Sequence, residues 1–278
     1  MTSRLPADDT ADDTADDAAG ATSDPAGRPT VARVDDQADA SVHVHVHVVT
    51  VFTDARGDHG NPLGIVRSTE RTHGAEQRIA TALGFSETVF LDELVEGGGG
   101  AGTAAGGRRA RIRIFTPATE LPFAGHPCVG TAWWLARQGT PVLALDTPAG
   151  PVAVRDTGDL VWITGRAAWA PDFAFHRLGS PGEVDALDPS GFAAGRHYAW
   201  AWVDETAGHL RSRMFAPALG VPEDQATGSA AVALTARLGR DLAIDQGRGS
   251  RLLTRVLPHG AVEVGGRSAA AESRTIDA

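Results

Sequence analysis

A single cysteine, Cys128, lies two residues after His126 in the stretch PFAGHPCVG, residues 122–130. A thiolate beside an imidazole is one nucleophile that such a stretch could assemble. A second candidate is the polar triplet Ser86-Glu87-Thr88, set between the amphipathic pattern GAEQRIATALG (74–84) and the apolar run after it. A carboxylate shielded from water, its pKa raised toward neutrality, could take a proton from one carbon and return it to another. A third is the alternation SVHVHVHVV, which puts His43, His45 and His47 on one face of a strand and Val42, Val44, Val46 and Val48 on the other. Histidines spaced about 7 Å along one strand suit a metal poorly without ligands from elsewhere. They read as a solvent-facing or interface ladder.

Composition removes several chemistries. The chain has 278 residues and no lysine, so neither a P-loop lysine nor a pyridoxal Schiff base is available. One cysteine makes neither an internal disulfide nor a cysteine zinc site. Gly97, Gly99 and Gly102 match GxGxxG formally, but the alternating strand RRARIRIF follows where a helix is required, so the dinucleotide reading fails. The stretch reads as a hairpin loop. No metal site is expected.

The net charge of −10 is concentrated in the first forty residues, which hold ten aspartates and three arginines. This segment, with ADDTADDTADDA at its centre, reads as a disordered acidic tail. The rest has no basic stripe for nucleic acid and no apolar run long enough to span a membrane. No N-terminal segment joins a basic start to an apolar core, so a cytoplasmic location is expected.

The elements that must position the polar residues come from an internal repeat. RIFTPATELP (113–122) and RMFAPALGVP (213–222) share Arg, Phe, Pro, Ala and Pro at an offset of 100. Each runs into a glycine turn and an Ala-rich apolar helix, AGHPCVGTAWWLARQG in the first copy and TGSAAVALTARLG in the second. Gly125 aligns with Gly228 and His126 with Ser229, and Pro127 suits a first helical position. The repeat predicts two similar α+β halves, 41–148 and 149–268, followed by a C-terminal tail, 269–278. Residues 74–84 predict a short helix with Ile79, Ala82 and Leu83 inward and Gly84 as its stop. Two helix N-termini facing one cleft would aim free N–H groups and positive dipole ends at a carboxylate or other small anion.

HGNPLGIV (59–66), FSETVF (85–90), RIFTPATELPFAGHPCVGTA (113–132), RMFAPALGVPEDQATGSAA (213–231) and QGRGSRL (246–252) together resemble the PhzF family. These are phenazine-biosynthesis isomerases with the diaminopimelate-epimerase fold. The resemblance implies two pseudo-symmetric halves, each a mixed sheet wrapped round a central helix, with the active site between them. It implies no cofactor, commonly a homodimer, and a proton shift on a small carboxylic acid in specialised metabolism, as in phenazine or alkylproline pathways. Carried over by position, Glu87 is the acid–base carboxylate, with His126, Asp224 and Ser229 as polar partners and Asn61 as a substrate-contacting amide. Gly125 and Gly228 would bind the substrate through the free N–H groups of their helix ends. The loop TDARGDHG before Asn61 departs from the family pattern and bears on substrate identity.

Structural alternatives remain for four of them: a strand-capping surface glutamate at 87, helix caps at 126 and 224, and at 229 a small residue that lets the backbone approach the ligand. The corresponding alternative for the whole chain is a non-catalytic carboxylate-binding or scaffolding protein. Epimerases of this fold use two opposed cysteines, and the positions aligned with them here are Ala124 and Thr227, so thiol racemisation is not expected. Cys128 itself reads as a small buried thiol in an apolar helix.

Overall fold

The computed structural model describes residues 43–96 and 107–278. The acidic segment and the glycine-rich loop 97–106, read from sequence as a tail and a hairpin, lie outside the described residues. The first part of the chain supplies β1 (His43–Thr53), β2 (Asn61–Arg67), α1 (Glu76–Leu83), β3 (Glu87–Val95), β4 (Arg109–Phe115) and β5 (Glu120–Leu121). Then come α2 (Gly125–Arg137), β6 (Ala144–Thr147), β7 (Gly150–Asp156) and β8 (Val161–Arg166). The second part supplies β9 (Ala174–Arg177), α3 (Pro181–Asp185), β10 (His197–Asp204), β11 (His209–Ala216) and β12 (Val221–Asp224). It ends with α4 (Gly228–Leu238), β13 (Leu242–Gln246), β14 (Ser250–Val256), β15 (Ala261–Ala270) and β16 (Arg274–Asp277).

The sheet is mixed and closes on itself: β1-β2-β3-β4-β6-β7-β8-β15 returns to β1 through the β1–β15 pairing. The apolar helix α2 is enclosed by this ring, touching β1, β2, β3, β7, β8 and β15. From β15 the sheet continues through β14, β13, β11 and β10 to β9 and curves round α4, which packs on β8, β14 and β15. A helix apolar on all sides can be stable only inside such a wrap. Cys128, Val129, Ala132 and Leu135 of α2 and Ala230, Ala231 and Leu234 of α4 are accordingly all buried in one core. The result is an α+β fold of two halves, each a sheet wrapped round one central helix.

The repeat survives in three dimensions: β4, a turn, β5 and α2 in one half correspond to β11, a turn, β12 and α4 in the other. The expected boundary at 148/149 falls in the tight turn joining β6 to β7, and pairing runs straight through it. β7 and β8, placed by sequence in the second half, thus complete the ring round α2. Residues 269–278 are not a loose tail. Ala270 still pairs with Val49 at the end of β15, and β16 runs antiparallel to β1 through four residue pairs. Ile276 gives it an apolar anchor on the second core cluster, formed by Val44, Val46, Val66, Ile79, Leu83 and Phe90.

That cluster is where α1 lies against the sheet. Its buried positions are Glu76, Ile79, Ala80 and Leu83, the i, i+3, i+4, i+7 stripe. Ala82, expected inward, is exposed because it falls beside this stripe rather than on it. Ile79 and Leu83 together contribute roughly 3–6 kcal/mol of burial. Gly84, at φ 67°, ends the helix as expected. The histidine ladder of β1 is exposed at His43 and His45, while His47 tilts onto the Trp134 ring at 4.8 Å. α2 starts two residues earlier than Pro127 suggests. Pro127 still lies in the first turn, where its missing N–H leaves no helical bond unmade.

Candidate active site

Ala124 and Thr227 occupy equivalent places as the residues preceding α2 and α4, and the two helices meet end to end. The approach is close. A side-chain carbon on Gly228 would lie 2.9 Å from the His126 nitrogen, and one on Gly125 would lie 3.0 Å from the Gly228 backbone. Only glycine permits this contact, which brings both positive helix ends to one place. Beside it is a cavity of about 100 Å³ whose wall includes Ser86, Glu87, Ala124, Asp224, Thr227 and Ser229. Leu121, Phe123, Phe173, Met214, Ala216 and Val221 supply apolar surface. The turn Thr116–Thr119 at its rim is tied to α1 by bonds from Gln77 Nε2 to the Thr116 carbonyl (2.9 Å) and from Thr81 Oγ1 to the Pro117 carbonyl (2.7 Å).

Glu87 begins β3, directly after the turn that follows Gly84, and its side chain is 17% exposed. Its Oε2 lies 3.1 Å from Nδ1 of His126, a buried residue of the first turn of α2. Burial pushes the Glu87 carboxyl up. The bond and charge of His126 and the Ser86 hydroxyl outweigh that and hold it below the usual carboxylate range. The raised carboxyl expected at Glu87 is found at Asp224 instead. Burial and the negative charge of Glu87 push Asp224 up to about 7, against the smaller pull of Thr227, His126 and Asn61.

Asp224 sits at the end of β12, with Oδ1 accepting from Asn61 Nδ2 (2.6 Å) and Oδ2 from Thr227 Oγ1 (2.6 Å). Asn61, at the start of β2, also donates to the Ala226 carbonyl and accepts from Ser86. Behind Thr227, Gln246 satisfies four groups. Its Nε2 donates to the Asp224 carbonyl and to Thr227 Oγ1, and its Oε1 accepts from the Thr227 N–H and the Tyr198 hydroxyl. Because Gln246 fills one acceptor site on Thr227 Oγ1, the threonine proton is left to point at Asp224.

The residues singled out from sequence therefore converge, in two layers. Glu87, Asp224 and Ser229 line the cavity. His126 stands behind Glu87 and Asn61 behind Asp224, while Gly125 and Gly228 form the helix contact. Gln246, Tyr198 and Arg196 carried no sequence signal of their own, and Thr227 stood out only as a position aligned with an epimerase cysteine. Gln246 is the first residue of the QGRGSRL stretch, but only the fold places it under Thr227. Cys128 is fully buried, with burial pushing its thiol up to about 12, and it takes no part in the cavity.

Fold and site define the class first: an isomerase built on the two-half, epimerase-type scaffold. More particularly, the chain belongs to the phenazine biosynthesis-like (PhzC-PhzF) family, whose model matches residues 49–167 and 192–266. It is 34% identical over 232 residues to the trans-2,3-dihydro-3-hydroxyanthranilate isomerase of Pseudomonas fluorescens, covering 70% of this chain and 80% of that one. The enzyme of the same name from Pseudomonas aeruginosa is 33% identical over 270 residues, covering 77% and 93%. A PhzF-family crystal structure from Enterococcus faecalis superposes with a TM-score of 0.64 at 21% identity, over 84% of this chain and 99% of that one. A hydroxyproline epimerase from Agrobacterium vitis shares the fold at a TM-score of 0.51 and 11% identity, over 84% and 92%. Among the described residues no helix is long and apolar enough to cross a membrane.

Proposed function

We propose that this protein is a cofactor-independent isomerase that moves a proton along an allylic or enol system of a small carboxylic acid in specialised metabolism. The observation that carries the reading is the pair of carboxylates, Glu87 and Asp224, one from each half, in the wall of one small cavity and shifted in opposite directions. Two carboxyls whose environments separate their pKa values divide into a base and an acid. Glu87, ionised and oriented by His126, removes a proton from carbon. The bonding pair moves into the conjugated system, and the same carboxyl returns the proton to the carbon at its far end. Asp224, protonated, donates a hydrogen bond to the substrate as charge develops. The substrate carboxylate lies against the N-termini of α2 and α4, where Ser229 and free N–H groups meet it.

The first acid to test is trans-2,3-dihydro-3-hydroxyanthranilate, the substrate in the names of the Pseudomonas relatives. The wild-type protein should consume it in D2O, with deuterium entering carbon positions as followed by NMR. Tight binding with no exchange and no conversion would instead support a non-catalytic binding protein. The reading also takes the protein to be a cytoplasmic homodimer with neither nucleic-acid nor membrane partners.

A further inference from the structure

Arg196 is the one basic side chain in the cavity wall, and the proton shift leaves it without a task. It is half-buried, immediately before β10. Among the described residues no hydrogen bond, ion pair or ring contact engages its guanidinium. Other partly buried arginines of this half are matched with acids: Arg213 with Glu223, Arg211 with Asp185. The backbone that carries Arg196 is nevertheless firmly held. Gly195 turns the chain at φ 88°, and the Arg196 carbonyl accepts from Ala174 N at 2.8 Å. The next ring, His197, is fixed between the Ala194 carbonyl and His176. Ala174 in turn follows Phe173, another wall residue, so the strand edge that pins Arg196 also shapes the cavity. An unpaired guanidinium on a fixed backbone at a cavity wall is a fork for a planar anion, bidentate to carboxylate.

We propose that Arg196 is a specificity-determining residue that pairs with a second carboxylate of the substrate, so that the site selects small diacids over monoacids. This rests on the reading above, in which the first carboxylate lies at the helix ends. A monoacid, trans-2,3-dihydro-3-hydroxyanthranilate included, leaves the fork unpaired and binds more weakly, so that acid serves to probe the proton transfer and is not the preferred substrate.

Calorimetric titration with benzoate and with the three benzenedicarboxylate isomers tests this on the full chain, comparing wild type, Arg196→Ala and Arg196→Lys. Wild type should bind the best diacid isomer about tenfold or more tightly than benzoate. Arg196→Ala should abolish that preference with benzoate affinity unchanged, and Arg196→Lys should keep part of it through its point charge. Benzoate binding without a diacid preference overturns the role of Arg196 and leaves the helix-end carboxylate site standing. Equal losses for benzoate and diacid in Arg196→Ala also overturn it, marking Arg196 as structural. No binding of any of the four acids overturns the carboxylate site and this inference together.

Discussion

Asp224 should keep its proton into the neutral range, and the stability of the fold should record it. In the native state its carboxyl is pushed up to about 7, from an ordinary 3.8. The native chain therefore holds this proton more tightly than the unfolded chain does. Stability from this group is full below its unfolded pKa and is lost as pH rises from about 4 through 7. Linkage puts the loss at about 2.5 kcal/mol between pH 5 and pH 8. Glu87 works in a different window. Its carboxyl is held low, so its contribution is present above an ordinary 4.5 and fades only as pH falls below that. Asp224→Asn cannot titrate, and an amide in its place still meets Asn61 and Thr227, at a cost of about 1–2 kcal/mol for one mismatched contact. Urea unfolding of both proteins at pH 5, 6, 7 and 8 isolates the group, because other titrating residues cancel in the difference. Wild type should lose about 2.5 kcal/mol relative to the variant across that range. Parallel pH profiles would refute the assignment of a neutral Asp224.

Three further perturbations test the frame around the site. Gly228→Ala drives a methyl group to 2.9 Å from the His126 nitrogen, so the helix ends must part; a loss of about 1–3 kcal/mol in urea unfolding and of most isomerase activity is expected. Gln246→Leu strands the Thr227 N–H and the Asp224 carbonyl and leaves the Tyr198 hydroxyl only its bond to Ser212, and should cost about 2–4 kcal/mol by the same measurement. Cys128→Ala removes a buried thiol that does not line the cavity, and turnover should stay near wild type while stability falls by about 1–2 kcal/mol.

Much of this was legible in the sequence, and particular residues explain why. The repeat around Arg113 and Arg213 announced the two halves, because like strands must deliver like helices to a shared contact. Gly125 and Gly228 stood at aligned turns, and the structure gives the reason: two backbones touch there. The strand order was not legible, because nothing in residues 150–166 says that they close the ring round α2. Nor did residues 269–278 betray their pairing with β1, since apart from Ile276 that segment is polar and small. The electrostatics were misjudged at Glu87. A buried carboxylate is lowered only when the donors and cations beside it outweigh its desolvation, and the position of His126 across from residue 87 is a fact of the fold. Arg196 and Gln246 were invisible for the same reason, each being an ordinary residue until a cavity or a hydroxyl is placed beside it.

The central claim is that Glu87 carries the proton. Its most direct test follows deuterium from D2O into trans-2,3-dihydro-3-hydroxyanthranilate, with wild type and Glu87→Gln side by side. The glutamine variant keeps the shape and a contact with His126 but has no carboxylate to accept a proton. Wild-type exchange with loss of at least a thousandfold in Glu87→Gln is the expected result, on the order of what removing a positioned general base costs. Equal exchange by the two folded proteins would contradict the account.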